Sequence, residues 1–429
     1  MKMVILGAGE SGVGAAILAQ TKGYTVFVSD MGRIKDNYKA MLDEHGIRWE
    51  EGQHTASEIL DADEVVKSPG IPDTAPMVRS LREQGTPILS EIEFAGRYTK
   101  ARTICVTGSN GKTTTTSLIY YILEKAGYDV GLAGNIGKSF ALQVATADRA
   151  WYVIELSSFQ LDGMYDFRAD IAVLLNITPD HLDRYDYCMQ RYVDSKMRIV
   201  QNQRPEDYFI YWQGDDYAAC ELALRLSGEK TPTAVTPIAF ADDSPLPVAR
   251  EALSIPGLHN VRNCLAAYHA ARAAGVGEEV IAACLQSFPG VAHRLERVTT
   301  KSGVHFVNDS KATNVDACYV ALQAMTTPTV LIVGGTDKGN DYSVLLPLIQ
   351  EKCRALVYLG ADNAKLHAAF DDLGLPVADT HAMADCVAAC VRLAKAGDTV
   401  LLSPCCASFD LFCGMADRGN QFKACVAAL

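Results

Sequence analysis

No stretch of this chain approaches the roughly 20 consecutive apolar residues that a membrane-spanning helix requires, so membrane insertion is not expected. The apolar run at the amino terminus, Met1 to Leu6, is too short for a secretory signal and passes straight into glycines. A disulfide framework is missing as well: the 13 cysteines have no regular spacing, and their odd number fits a reducing compartment. Cys105, Cys264 and Cys318 sit inside apolar stretches and read as small core residues, whereas the adjacent Cys405 and Cys406 make a poor structural bridge. A cytoplasmic protein is the expectation. Short internal repeats and low-complexity tracts are also absent. Basic residues are outnumbered, 39 Lys and Arg against 51 Asp and Glu, for a net charge of -12. That balance argues against a general nucleic-acid or anionic-membrane binder. Anionic substrates remain open, because local cation clusters decide those.

What is present describes a folded protein. Of 429 residues, 49% are hydrophobic and 21% charged, enough for two or three domains with sizeable cores. Three segments read as α/β units. The first, residues 1–98, opens with the strand Val4 to Leu6, the turn Gly7-Ala8-Gly9-Glu10-Ser11-Gly12 and a helical run from Val13 to Lys22. The strand Thr25 to Ser29 then ends at Asp30. Strand, glycine turn, helix and strand form a mononucleotide-binding pattern. With Asp30 it fits a dinucleotide fingerprint, or any nucleotide diphosphate laid across a helix N-terminus. The second unit, residues 99–290, has strands at Thr103 to Thr107, Trp151 to Glu155 and Ile171 to Leu175. Helices are expected from Thr114 to Ala126, from about Pro179 to Gln201 with Thr178 as N-cap, from Asn260 to Ala274 and from Glu278 to Ser287. The third, residues 291–429, alternates helices with strands at Val304 to Asn308, Val330 to Gly334, Ala355 to Leu359 and Thr399 to Ser403. Such alternation implies a mostly parallel sheet covered on both faces, with ligand loops at the carboxyl ends of the strands.

The strongest chemical signal is Gly108-Ser109-Asn110-Gly111-Lys112-Thr113-Thr114, between a Val-rich strand and a helix. Its glycines let backbone N–H groups face phosphate oxygens, and the helix N-terminus adds a favourable dipole. Lys112 would counter phosphate charge, and the hydroxyl of Thr113 or Thr114 would reach Mg²⁺. Val106 stands where the common P-loop has its first glycine, so the loop is a shorter variant. Glu155 ends a buried strand, a place suited to a magnesium ligand or to capping the next helix. His181 follows another strand, and its position is equally compatible with metal binding and with packing at a helix end. Lys196 shares a helix face with Met189, Tyr192, Val193 and Val200. It is either a snorkelling side chain or a desolvated amine of lowered pKa, open to chemical modification.

Taken together, these segments resemble the Mur ligase family of peptidoglycan synthesis. The resemblance runs in family order. It starts at Thr107 to Thr114, Glu155 to Leu161, Asn176 to Tyr185 and Tyr192 to Lys196. It continues through Gly257 to Asn263, His293 to Glu296, Asn308 to Asn314 and Gly334 to Lys338. Ser403-Pro404-Cys405-Cys406-Ala407-Ser408-Phe409-Asp410 is similar to the carboxy-terminal signature of the branch that adds D-glutamate.

The resemblance implies an α/β protein of three domains: a Rossmann-like domain for a UDP substrate, a central P-loop ATPase domain and a Rossmann-like C-terminal domain for the amino acid. It implies an ATP-dependent ligation of D-glutamate to UDP-N-acetylmuramoyl-L-alanine through an acyl phosphate, with ADP and phosphate released and Mg²⁺ as cofactor. Ser11 and Asp30 would contact the UDP part, Asn135 the muramoyl part, and Ser157 and Gln160 the substrate. Gly108, Ser109, Asn110, Gly111, Lys112, Thr113 and Thr114, with Asn263, Arg294 and Asp309, would hold ATP. Thr113, Glu155, His181 and a carbamylated Lys196 would hold the metal. Lys311 would lie near the transferring phosphate, making Lys112, His181, Lys196 and Lys311 the catalytic set. Thr313, Lys338, Ser408 and Phe409 would hold D-glutamate. A monomer is expected. Met415, Glu10 and Met31 depart from the residues usual in the family at the amino-acid and uracil sites.

The rival readings are a folylpolyglutamate synthase, a nicotinamide-dependent oxidoreductase and a nucleotide-binding regulator. The amino-terminal glycine unit argues against the first, the phosphate loop against the second, and Glu155, His181 and Lys196 together against the third.

Overall fold

The computed structural model describes residues 1–230, 234–337 and 339–429; Lys338 lies outside them. The chain divides into two compact units, Met1–Phe288 and Pro289–Leu429. The first unit holds two parallel sheets and the second unit one mixed sheet.

The first sheet has five strands: β1 (Lys2–Leu6), β2 (Thr25–Asp30), β3 (Arg48–Glu51), β4 (Glu64–Lys67) and β5 (Ile88–Leu89), in the order β3-β2-β1-β4-β5. Met3, Val4, Ile5 and Leu6 are fully buried, as a central parallel strand covered on both faces requires. The helix Glu10–Thr21 starts directly after Gly9. A Cβ at Gly12 would stand 1.9 Å from the Gly7 carbonyl oxygen, and one at Gly14 would stand 1.9 Å from Ser139 Oγ. Glycine at these places lets the helix close on its own loop and on the residues that open the helix Phe140–Thr146.

The second sheet has six strands: β6 (Arg102–Thr107), β7 (Val130–Gly134), β8 (Trp151–Glu155), β9 (Ile171–Leu174), β10 (Tyr208–Trp212) and β11 (Thr236–Phe240), in the order β11-β10-β9-β6-β8-β7. From β6 the chain crosses to β7, returns through β8, and only then reaches β9 on the far side. The carboxyl end of β6 is therefore a switch point of the topology, where open α/β sheets bind ligands.

The helix expected from Pro179 to Gln201 is shorter. A 3₁₀ turn covers Leu182–Tyr185, and the α-helix runs over Met189–Met197, capped by Cys188 and not by Thr178. His181, Asp186 and Tyr187 have left-handed backbones, with φ of 51°, 53° and 55°, and no α-helix passes through such residues.

The second unit's six strands are β12 (Glu296–Lys301), β13 (Val304–Asn308), β14 (Thr329–Gly334), β15 (Cys353–Leu359), β16 (Val377–Thr380) and β17 (Thr399–Cys405), in the order β12-β13-β17-β14-β15-β16. Only the β12–β13 pair is antiparallel. Apolar clusters cover both faces of this sheet, one around Leu331, Leu356 and Phe370, the other around Ile332, Val387 and Phe422. Among the described residues no helix is long and apolar enough to cross a membrane.

Candidate functional site

The phosphate loop leaves β6 and enters the helix Lys112–Lys125. Gly111 has a φ of 85°, and a Cβ there would lie 2.4 Å from Asn263 Oδ1. Backbone and neighbour both demand glycine. The segment after β9 holds the loop from outside. Asn176 accepts the Ser109 N–H on its backbone oxygen at 2.9 Å and the Asn110 N–H on Oδ1 at 2.8 Å. Ser109 Oγ donates to the Thr178 carbonyl at 2.8 Å. The Lys112 ammonium donates to the Gly108 and Ser109 carbonyls at 2.7 and 2.9 Å, which keeps a cation at the mouth of the loop. Asn263, expected to touch ATP, accepts from Thr115 Oγ1 at 3.2 Å and so braces the helix that follows.

Glu155 ends β8 beside Val106 of β6 and is 1% exposed. Asn135 Nδ2 donates to its Oε1 at 2.9 Å, and its Oε2 is buried without a hydrogen-bond partner. Thr114 Oγ1 is likewise buried and unpartnered. A buried carboxylate oxygen without a donor is costly, and a cation is the natural complement. Among the described residues no three His, Cys, Asp or Glu side chains cluster as a metal site. A magnesium ion here would therefore draw on hydroxyl oxygens and on a group of another type. His181 is half exposed, with its ring centre 5.1 Å from that of Phe159 and Nε2 3.5 Å from Asp180.

Lys196 is 1% exposed, with Nζ 4.5 Å from the centre of the Tyr192 ring. The Tyr192 hydroxyl is in turn 3.0 Å from Ser109 Oγ. Burial, and next the like charge of Lys112, push the Lys196 pKa well below the usual lysine range, against the pull of Asp180, Asp162 and Asp215. The snorkelling alternative falls, because the amine does not reach solvent.

Other expected contacts serve local structure. Ser157 and Gln160 bond each other in a capping box that starts a short helix. Asp30 accepts the Ala8 N–H at 2.7 Å and the Gly32 N–H at 2.8 Å, and so fixes the turn at the glycine loop. Ser11 faces Glu91, a carboxyl that sequence reasoning missed, and favours its ionised form.

In the second unit, Asp309 is buried and accepts the Leu295 N–H at 3.1 Å and Ser403 Oγ at 2.9 Å. Burial raises its pKa to about 7, although Arg294 pulls the other way. Arg294 Nε is buried without a partner. Lys311 and Thr313 follow in a tight turn, with the Thr313 N–H donating to the Lys311 carbonyl at 3.0 Å. Ser408 is 2% exposed and Phe409 76% exposed, so the two neighbours face opposite environments.

Residues 106–271 match the Mur ligase middle domain, residues 293–406 the Mur ligase glutamate ligase domain, and residues 2–77 the MurD N-terminal domain. The chain is 59% identical to the UDP-N-acetylmuramoylalanine--D-glutamate ligase of Bacteroides fragilis, with 100% of both chains covered. This chain belongs to the Mur ligase family. The enzyme of the same name from Porphyromonas gingivalis is 51% identical to this Mur ligase, over 98% of this chain and 97% of that one. Among solved structures, UDP-N-acetylmuramate-alanine ligase MurC from Thermotoga maritima matches 100% of this Mur ligase and 99% of its own chain, with 18% identity and a TM-score of 0.65. FolC from E. coli matches 79% of this chain and 93% of its own, with 18% identity and a TM-score of 0.57. These two share the fold.

Glu91 escaped the sequence reading of this Mur ligase for a physical reason. It follows the N-cap Ser90, where an acidic residue ordinarily faces solvent beside the helix dipole. Here it is 3% exposed, and only long-range packing reveals that.

Proposed function

We propose that this Mur ligase joins D-glutamate to the carboxylate of UDP-N-acetylmuramoyl-L-alanine in the cytoplasm, as a monomer, with ATP converted to ADP and phosphate. The observation that carries the reading is the full-length identity to ligases of that name. The match at residues 2–77 and the glycine-loop sheet favour a UDP-linked substrate over a folate. Three domains, at 1–98, 99–290 and 291–429, would divide the work of holding the UDP substrate, ATP and the amino acid.

The substrate carboxylate attacks the γ-phosphorus, an O–P bond forms, and the bond to the β-phosphate oxygen breaks to release ADP. The amine of D-glutamate, after losing a proton, attacks the acyl carbon, and the tetrahedral adduct expels phosphate. Lys112 would exchange its loop carbonyls for phosphate oxygens and screen the charges that must approach. Gly108 to Thr114 and Asn263 orient the phosphates, with Arg294 and Asp309 as further nucleotide contacts. Thr113 or Thr114, Glu155 and His181 would hold Mg²⁺, which supplies charge neutralisation when bound. Lys196 would complete that set as a carbamate. Its neutral amine attacks CO₂, a C–N bond forms, and one proton leaves, so the uncharged amine becomes a carbamate anion. Burial and Lys112 support this by disfavouring the ammonium form. Ser11, Asp30, Asn135, Ser157 and Gln160 remain assigned to the UDP-linked substrate. Lys311 is assigned to the transferring phosphate, and Thr313, Lys338, Ser408 and Phe409 to D-glutamate.

The test is phosphate release from ATP with UDP-N-acetylmuramoyl-L-alanine and a panel of D- and L-amino acids. D-glutamate is expected to support turnover with ADP as co-product. Release of AMP and pyrophosphate, or an equal response to L-glutamate, would sink the reading.

A further inference from the structure

Three segments of the first unit meet at one serine. Ser139 opens the helix Phe140–Thr146 as its N-cap, its Oγ accepting the Leu142 N–H at 3.1 Å. The same hydroxyl donates to Glu91 Oε1 at 2.5 Å, and the Ala141 N–H donates to that oxygen at 2.8 Å. The Ser139 N–H donates to Glu10 Oε1 at 3.2 Å, and Glu10 Oε2 accepts from the Tyr38 hydroxyl at 3.0 Å. Ser11, at the start of the glycine-loop helix, faces the Glu91 carboxyl and favours its ionised form. Glu91 Oε2 is buried without a partner. Burying a carboxyl with one oxygen that lacks a partner is costly.

Ser139 also closes the loop that begins at Asn135, and Asn135 Nδ2 holds Glu155 Oε1 at 2.9 Å. One run of contacts therefore leads from the glycine turn, through Glu91 and Ser139, along residues 135–139 to the carboxylate at the end of β8. The absent Cβ of Gly14 lets the glycine-loop helix lie directly on Ser139, so a shift of Ser139 is passed to that helix.

We propose that Glu91 is a positioning residue for the UDP-linked substrate, holding Ser139 so that the 135–139 loop and the glycine-loop helix, which meets Ser139 at Glu10 and Gly14, stay fixed relative to each other. This rests on the assignment of the glycine turn and Asn135 to that substrate. Glu91 itself is too buried to touch a ligand. Its effect is on where Ser11 and Asn135 stand when the substrate spans them.

The test measures KM for all three substrates in Glu91→Gln and Ser139→Ala. Each variant is expected to raise KM for UDP-N-acetylmuramoyl-L-alanine about fivefold or more, with KM for ATP and for D-glutamate within about twofold of the parent. The double variant is expected to be no worse than the poorer single one, because both cut the same link. A general structural role would move all three KM values together, and independent effects would multiply in the double variant; either result overturns the proposal. If Glu91→Gln fails to fold, Ser139→Ala alone decides by the same split. An unmodified enzyme that does not use the UDP-linked substrate refutes the proposed function instead, which separates the two failures.

Discussion

Lys196 Nζ stands 4.5 Å from the centre of the Tyr192 ring, and through the Tyr192 hydroxyl that pair is joined to Ser109 in the phosphate loop. A lysine so placed has lost its water and faces a π surface, which stabilises a cation only modestly. The like charge of Lys112 pushes it further toward the neutral amine. Lys196→Ala is therefore expected to reduce ligation by roughly a hundredfold or more, and added bicarbonate should not restore it. In the parent enzyme, ¹³C-bicarbonate should give a carbamate signal in the NMR spectrum that Lys196→Ala lacks. Full activity in that variant would remove the carbamate from the mechanism.

Asn135 holds one oxygen of Glu155 and leaves the other without a donor. Partners that orient a metal ligand typically matter by roughly 10–100-fold in metal affinity. Asn135→Ala should raise the Mg²⁺ concentration needed for half-maximal rate by about tenfold. A magnesium titration of initial rates reads this directly. An unchanged midpoint would mean that Glu155 is oriented by its strand alone, or binds no metal.

Gly111 offers a sharper stability test. Its left-handed backbone costs a side chain roughly 1–2 kcal/mol, and a methyl group would press on Asn263 Oδ1 at 2.4 Å. Gly111→Ala should lower stability by about 1–3 kcal/mol, since strain and overpacking both act. It should also weaken ATP binding, because the loop and Asn263 must separate. Denaturant midpoints and nucleotide titrations measure the two effects, and wild-type affinity for ATP would show that the loop does not grip phosphate.

Much of this site was legible because its signals are local. A strand, a glycine turn and a helix in sequence specify the loop after β6, and the apolar run Trp151 to Ile154 places Glu155 at a strand end. Signals that depend on distant neighbours were not legible. β3 reads Arg48-Trp49-Glu50-Glu51, with nothing in its pattern to announce a strand; its pairing with β2 defines it. β5 has two residues and exists through its bond to β4. The start of the helix before Lys196 was misplaced because the left-handed turns at His181, Asp186 and Tyr187 fall on non-glycine residues, which carry no sequence signal for positive φ. Asn135, Ser157 and Gln160 could be marked as site residues, but not the structural bonds each makes.

Glu91 gives a pH dependence of definite sign. Its carboxyl titrates near 4.5 in ordinary surroundings and is raised to about 7 in the folded protein, first by burial, with Glu10 adding to the rise and Ser139, Ala141 and Ser11 opposing it. The folded state therefore holds this proton more tightly than the unfolded chain does. Between those two pKa values stability falls as pH rises, and above the folded value the loss is complete. From pH 5 to pH 8 the loss from this group is on the order of 2–3 kcal/mol, at about 1.4 kcal/mol per pKa unit. Asp309, raised to about 7 in the second unit, acts in the same direction, so a difference measurement is needed to isolate Glu91. Glu91→Gln cannot ionise, and its stability should fall less than the parent's over that range by the amount attributed to Glu91. Chemical denaturation of both proteins at several pH values, monitored by a probe in the first unit such as Trp151, reads the difference. Parallel curves would show that Glu91 titrates as an ordinary carboxyl in the folded state.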